Sequence, residues 1–193
     1  IGDTYHEAES FLKQGRQVLF SGTPCQIAGL KNFLRKEYDG LLTVDIVCHG
    51  VPSPLVWQHY LASLHPDEDR ITSISMRDKK KGWKRYRMEI QAGNRFLYSG
   101  KAVDNIYSQG YLADFFLRPS CHACPARKGK SGSDLTIGDF WGIHDYYPSF
   151  DDDKGTGIVL VHTLKGMNHY GDLDVYQIGT TYEQGLKDNP CIE

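Results

Sequence analysis

The sequence predicts an α/β fold: a largely parallel or mixed sheet with flanking helices and an inserted antiparallel meander. Short β-branched runs alternate with amphipathic helical stretches in the first third of the chain. The middle changes to closely spaced strand-like runs, and a strand, a helix and a last strand return near the end.

Residues Asp3 to Gln14 read as a helix stopped by Gly15, and Arg16 to Ser21 as a strand around Val18-Leu19-Phe20. Pro24 suits the first position of a second helix, with Ile27, Leu30, Phe33 and Leu34 on one face. Leu41 to Val47 is a β-branched strand ending at Cys48. Pro52-Ser53-Pro54 opens a third helix whose Val56, Trp57, Tyr60, Leu61 and Leu64 face inward. A strand–helix–strand–helix order implies a parallel core with sites at the carboxyl ends of its strands.

Ile71 to Met76, Trp83 to Ile90 and Arg95 to Ser99 read as a meander, with Gly93-Asn94 at its second turn. Val103 to Leu117 reads as a helix despite Gly110. Leu135 to Gly138 is a short strand, Asp151 to Gly155 a polar loop, and Ile158 to Val161 a strand. A helix and a last strand, Asp174 to Ile178, complete the chain.

At 193 residues the chain is expected to form a single domain. A formal net charge of -2 argues against a polyanion binder, and no apolar stretch is long enough to span a bilayer. No signal peptide opens the chain, and a start at Ile1 reads as a fragment of a longer protein. Five cysteines are too few for a disulfide scaffold, and an odd count fits secretion poorly. The expected compartment is the reducing cytoplasm.

Four of these cysteines carry the strongest functional signal. Cys25 follows Gly22-Thr23-Pro24 in the first turn of a helix, where the positive helix end favours a thiolate. Cys48 ends the second strand of the same sheet. Cys121 and Cys124 form a C-x-x-C loop stiffened by Pro119 and Pro125. Four-Cys zinc, an iron–sulfur cluster and a dithiol redox pair all fit such thiols. Zinc favours paired knuckles, whereas clusters tolerate the dispersed ligation seen here. Cys191, after Pro190 near the end, reads as a bystander.

The segments Ser21-Gly22-Thr23-Pro24-Cys25-Gln26, Asp45 to Ser53, Arg118 to Cys124 and Ser133 to Gly142 occur in this order. Together they resemble the coenzyme F420 hydrogenase/dehydrogenase beta-subunit family, specifically its C-terminal domain, from about Gly15 onward. The resemblance implies a flavin-containing electron-transfer subunit with a [4Fe-4S] cluster on Cys25, Cys48, Cys121 and Cys124. It implies that Gly22, Thr23, Pro24 and Gln26 help to bind the cofactor. It also implies FAD in the intact protein, with part of the flavin site upstream of Ile1. The implied partners are a ferredoxin or fused ferredoxin domain, hydrogenase or dehydrogenase subunits, and a small-molecule hydride acceptor.

Asp139, in the turn Gly138-Asp139-Phe140-Trp141-Gly142, is the candidate catalytic residue, as a proton donor or a partner to the cluster. An Asp in such a turn also commonly bonds its own backbone. The basic stretch Lys79 to Arg87 admits a nucleic-acid reading. A solvated hairpin, with Tyr86, Met88 and Ile90 inside, or a docking surface for an acidic ferredoxin, fits it better.

Overall fold

Strand β1 (Val18–Gly22) pairs in parallel with β2 (Leu41–Ile46), which pairs in parallel with β6 (Leu135–Asp139); β7 (Gly157–Val161) closes the sheet antiparallel to β6. The mixed, mainly parallel sheet read from the sequence is therefore present. The computed structural model describes residues 1–64 and 70–192.

The chain divides into two units. The first comprises Ile1–His49, Cys124–Asp151 and Thr156–Glu193, and the second Gly50–Ala123 and Asp152–Gly155. In the first unit, α1 (Thr4–Lys13) and α2 (Pro24–Leu34) cover one face of the sheet. Ala8, Leu12, Leu30 and Leu34 meet Val18, Phe20 and Leu41 there. Alternation puts Leu19, Ile46 and Ile137 on the other face, where they are 65%, 44% and 43% exposed.

The covered face also carries Thr43, Asp45, Asp134 and Thr136, all buried. Polar groups in that position must find partners, and these four find one another. The Thr43 N–H and hydroxyl both donate to Asp134 Oδ2 at 2.8 Å, and the Asp134 N–H donates to Thr43 Oγ1 at 3.0 Å. The Thr136 hydroxyl donates to Asp45 Oδ1. These bonds tie β2 to β6, although about ninety residues separate them.

The second unit holds the meander β3 (Ile71–Asp78), β4 (Arg87–Ala92) and β5 (Arg95–Lys101), all antiparallel. Helix α3 (Pro54–Leu64) lays Trp57, Tyr60, Leu61 and Leu64 against buried Met88, Ile90 and Ala102. The remaining helices are short: α4 (Ile106–Leu112) and α5 (Pro119–His122) in the second unit, with α6 (Ile143–Tyr146), α7 (Leu164–Gly171) and α8 (Tyr182–Leu186) in the first.

Three elements differ from expectation. The second meander strand begins at Arg87, not Trp83. Trp83 is buried and its N–H donates to Asp153 O at 2.8 Å, while the Lys84 N–H donates to Asp153 Oδ1, so this stretch bonds a loop rather than a strand. The helix expected over Val103 to Leu117 shortens to α4. Asn105 caps its start by accepting from the Tyr107 and Ser108 N–H groups. Past its end Asp114 turns left-handed (φ 63) and the Phe115 N–H returns to Gly110 O. Asp174 to Ile178 forms no strand; Val175, Tyr176 and Ile178 are exposed.

Burial pushes the Asp134 carboxyl up, but hydrogen bonds from Thr163 and Thr43 and the nearby Lys165 ammonium outweigh it and hold the group below its ordinary 3.8. A depressed folded pKa contributes stability above the unfolded value, and that contribution is lost as pH falls through the folded value. Resistance to urea should therefore fall below about pH 4. Asp134→Asn should cost about 1–3 kcal/mol at pH 7 and flatten this acid limb. A variant that keeps the wild-type acid slope would show that another group controls it.

Candidate functional site

The parallel register aligns the three strand ends. Gly22 pairs with Asp45, and Asp45 with Thr136. Cys25, Cys48 and Asp139 each lie three residues beyond one of these partners, so the sequence places them at the same edge of one sheet.

At the first strand end, Thr23 is the N-cap of α2 and Pro24 its first residue. Gln26 reaches back so that its Oε1 accepts the Thr23 N–H at 2.9 Å. A Cβ on Gly22 would come within 2.8 Å of that oxygen, so glycine permits the close turn. Gly22, Thr23, Pro24 and Gln26 thus build the turn that presents Cys25. Cys25 Sγ is exposed, 3.2 Å from the Thr23 hydroxyl. Tyr5 donates to Gln26 O at 2.7 Å. Burial, and then the charge of a Cys25 thiolate, raise its hydroxyl pKa above 10.0.

Cys48 lines a cavity of about 260 Å³ in the first unit, together with Pro24, Asp45, Arg127, His162 and Cys191. Cys191 is a bystander by its place in the sequence, yet its Sγ lies 3.1 Å from His49 Nδ1. The C-x-x-C pair divides between the units: Cys121 belongs to the second and Cys124 to the first. In the second unit the Val51 N–H donates to Cys121 Sγ at 3.4 Å. Cys124 is half-buried and its carbonyl accepts from the Arg127 N–H. Asp139 is half-buried at the end of β6, paired with Gly157.

The five cysteines form no disulfide. Among the described residues, no three His, Cys, Asp or Glu side chains stand close enough to hold a metal ion. The donor set nonetheless suits a soft metal centre, being all thiol, with the Val51 N–H donating to one sulfur and the Thr23 hydroxyl beside another. The cavity is smaller than the roughly 300–1,000 Å³ typical of small-molecule sites, so it does not enclose a whole flavin dinucleotide.

A family model described as the C terminus of the coenzyme F420 hydrogenase/dehydrogenase beta subunit matches residues 15–175. The chain belongs to this family. That membership places it in an oxidoreductase context, among hydrogenase and dehydrogenase subunits. No curated protein matches the chain. Among the described residues, no helix is long and apolar enough to cross a membrane.

Sequence reading took His49 as a spectator able at most to hydrogen-bond sulfur and Cys191 as a bystander, and it missed the polar group Asp45, Thr136 and His162. Asp45 and Thr136 did carry a signal, as polar residues inside apolar strand runs. Cys191 carried none, since only the folded chain brings it to His49.

Exposure orders the thiols. Cys25 is exposed and the other four are half-buried. Limited iodoacetamide treatment of the reduced protein, mapped by peptide mass spectrometry, should modify Cys25 first, several-fold ahead of Cys48, because access limits alkylation. Equal rates at all five would contradict the burial described.

Proposed function

We propose that the chain is the C-terminal part of an electron-transfer oxidoreductase subunit, with Cys25, Cys48, Cys121 and Cys124 holding a [4Fe-4S] cluster. The observation that carries this reading is the register that sets Cys25 and Cys48 at one sheet edge in a member of this family. The bound cluster would supply one-electron storage and transfer. The chain's own residues would hold it and tune it. The first turn of α2 orients Cys25 at a positive helix end, and the Thr23 hydroxyl and Val51 N–H stabilise negative sulfur. Asp139 would be the proton donor at the same edge.

FAD belongs to this proposal for the intact protein, and no step is assigned to it because the cavity does not enclose it. The proposed partners are a ferredoxin or a fused ferredoxin domain, further hydrogenase or dehydrogenase subunits, and a small-molecule hydride acceptor, all in the cytoplasm. The exposed Lys79, Lys80 and Lys81 would face an acidic donor.

Anaerobic reconstitution with iron and sulfide tests the ligand set. Serine at Cys25, Cys48, Cys121 or Cys124 should lower bound iron and the broad absorption near 400 nm several-fold, because each of the four thiolates would be a cluster ligand. Cys191→Ser should leave both unchanged. Zinc retained in place of iron, or equal losses from Cys191→Ser and Cys124→Ser, would sink the reading.

A further inference from the structure

At the cavity wall an exposed imidazole connects to a buried carboxylate. Asp45 is 2% exposed and Thr136 8%, whereas His162 is open to solvent. His162 Nε2 lies 2.8 Å from Thr136 Oγ1, and the Thr136 hydroxyl donates to Asp45 Oδ1. All three residues line the cavity. The His162 backbone is fixed as well, since its N–H donates to Asp134 O at 3.0 Å.

A hydroxyl has one hydrogen to give. Thr136 gives its hydrogen to Asp45, so the contact with His162 is an Nε2–H donating to Thr136 Oγ1. Neutral His162 therefore carries its proton on Nε2, and Nδ1 is the basic nitrogen. The Asp45 carboxylate fixes the Thr136 hydroxyl, and Thr136 in turn fixes the imidazole so that Nδ1 is the nitrogen left to exchange a proton. This is the logic of a base oriented by a third group.

We propose that His162 is the acid–base residue of this cavity, with Thr136 and Asp45 as positioning residues, and that the cavity takes a small oxyacid. In the step, the acid's O–H bond breaks, an Nδ1–H bond forms, and the conjugate base remains as an anion. Arg127 and Lys128 line the same cavity and supply positive charge for that anion. The other titratable groups lining it are Cys48, Cys191 and Tyr182. Asp134 lies nearby with its carboxylate bonded to Thr43 and Thr163, and Lys165 is 3.9 Å from it. The proposal needs no cluster, although Cys48, a proposed cluster ligand, lines the same cavity.

The test is histidine NMR on the whole chain, with inorganic phosphate as the probe acid. Neutral His162 should show the Nε2–H tautomer, and phosphate should make its imidazole about tenfold harder to deprotonate while the other histidines stay in place. That factor corresponds to about one pKa unit. Asp45→Asn should abolish the phosphate response, Thr136→Val should release the tautomer, and Thr136→Ser should restore it, separating the lost hydroxyl from lost folding. Lys128→Ala should weaken phosphate binding several-fold without changing the tautomer. An Nδ1–H tautomer in the wild-type chain, or a His162 titration indifferent to phosphate, would overturn the proposal. Both readouts are made without iron, so failure of the cluster reading leaves this result standing.

Discussion

The fold of the first unit depends on how β6 finds β2. Only Val44, Asp45 and Ile46 pair with β6, opposite Leu135, Thr136 and Ile137, and the second unit's main segment lies between the two strands in sequence. So short a ladder specifies register weakly through backbone bonds alone. The reciprocal bonds of Thr43 with Asp134 and the bond of Thr136 to Asp45 remove that freedom. A slip of one residue would turn Asp45 and Asp134 to the other face and separate each buried carboxylate from its donors. Polar groups in the buried layer thus act as a register key, which uniform apolar strands would not supply.

The same register decides where the candidate site residues sit. Because β1, β2 and β6 run in parallel and in step, the residues that follow them reach one edge together. Cys25, Cys48 and Asp139 inherit their alignment from Gly22, Asp45 and Thr136. Asp45 therefore has two roles: it ties the strands, and it ends the chain of hydrogen bonds that reaches His162. A group that fixes register is held rigidly, and a positioning residue for an acid–base group must be rigid for the same reason.

The parallel core was legible because its strands are β-branched runs between helices with clear starts. Thr23-Pro24 before Ile27 and Leu30 reads as a helix opening from local chemistry alone, and the helix begins there. The meander was legible from Gly93-Asn94, which does join β4 to β5. Of the misread elements, α4 is cut short by a local left-handed turn at Asp114, and the other two turn on pairing with residues remote in sequence. Trp83 resembles a strand residue, but Asp153, seventy residues on, claims its N–H. Tyr176 and Ile178 alternate like a strand, yet no paired edge receives them. At the site, three of the candidate residues could be aligned once the strands were known to be parallel. Cys191 and His162 could not, because each meets its partner across a large sequence separation that no local pattern records.

The division of the C-x-x-C pair bears on how a metal centre would act on this chain. Cys121 belongs to the second unit and Cys124 to the first, with two residues between them. A ligand favours the state that binds it, so metal held by either thiol would add to the stability of the unit that presents it. Cys121 is already held within its own unit by the Val51 N–H, and Cys25 within its own by the α2 turn. Each of these sulfurs is thus held by contacts inside its own unit, whereas Asp134 and Asp45 fix the register of the sheet independently of any metal.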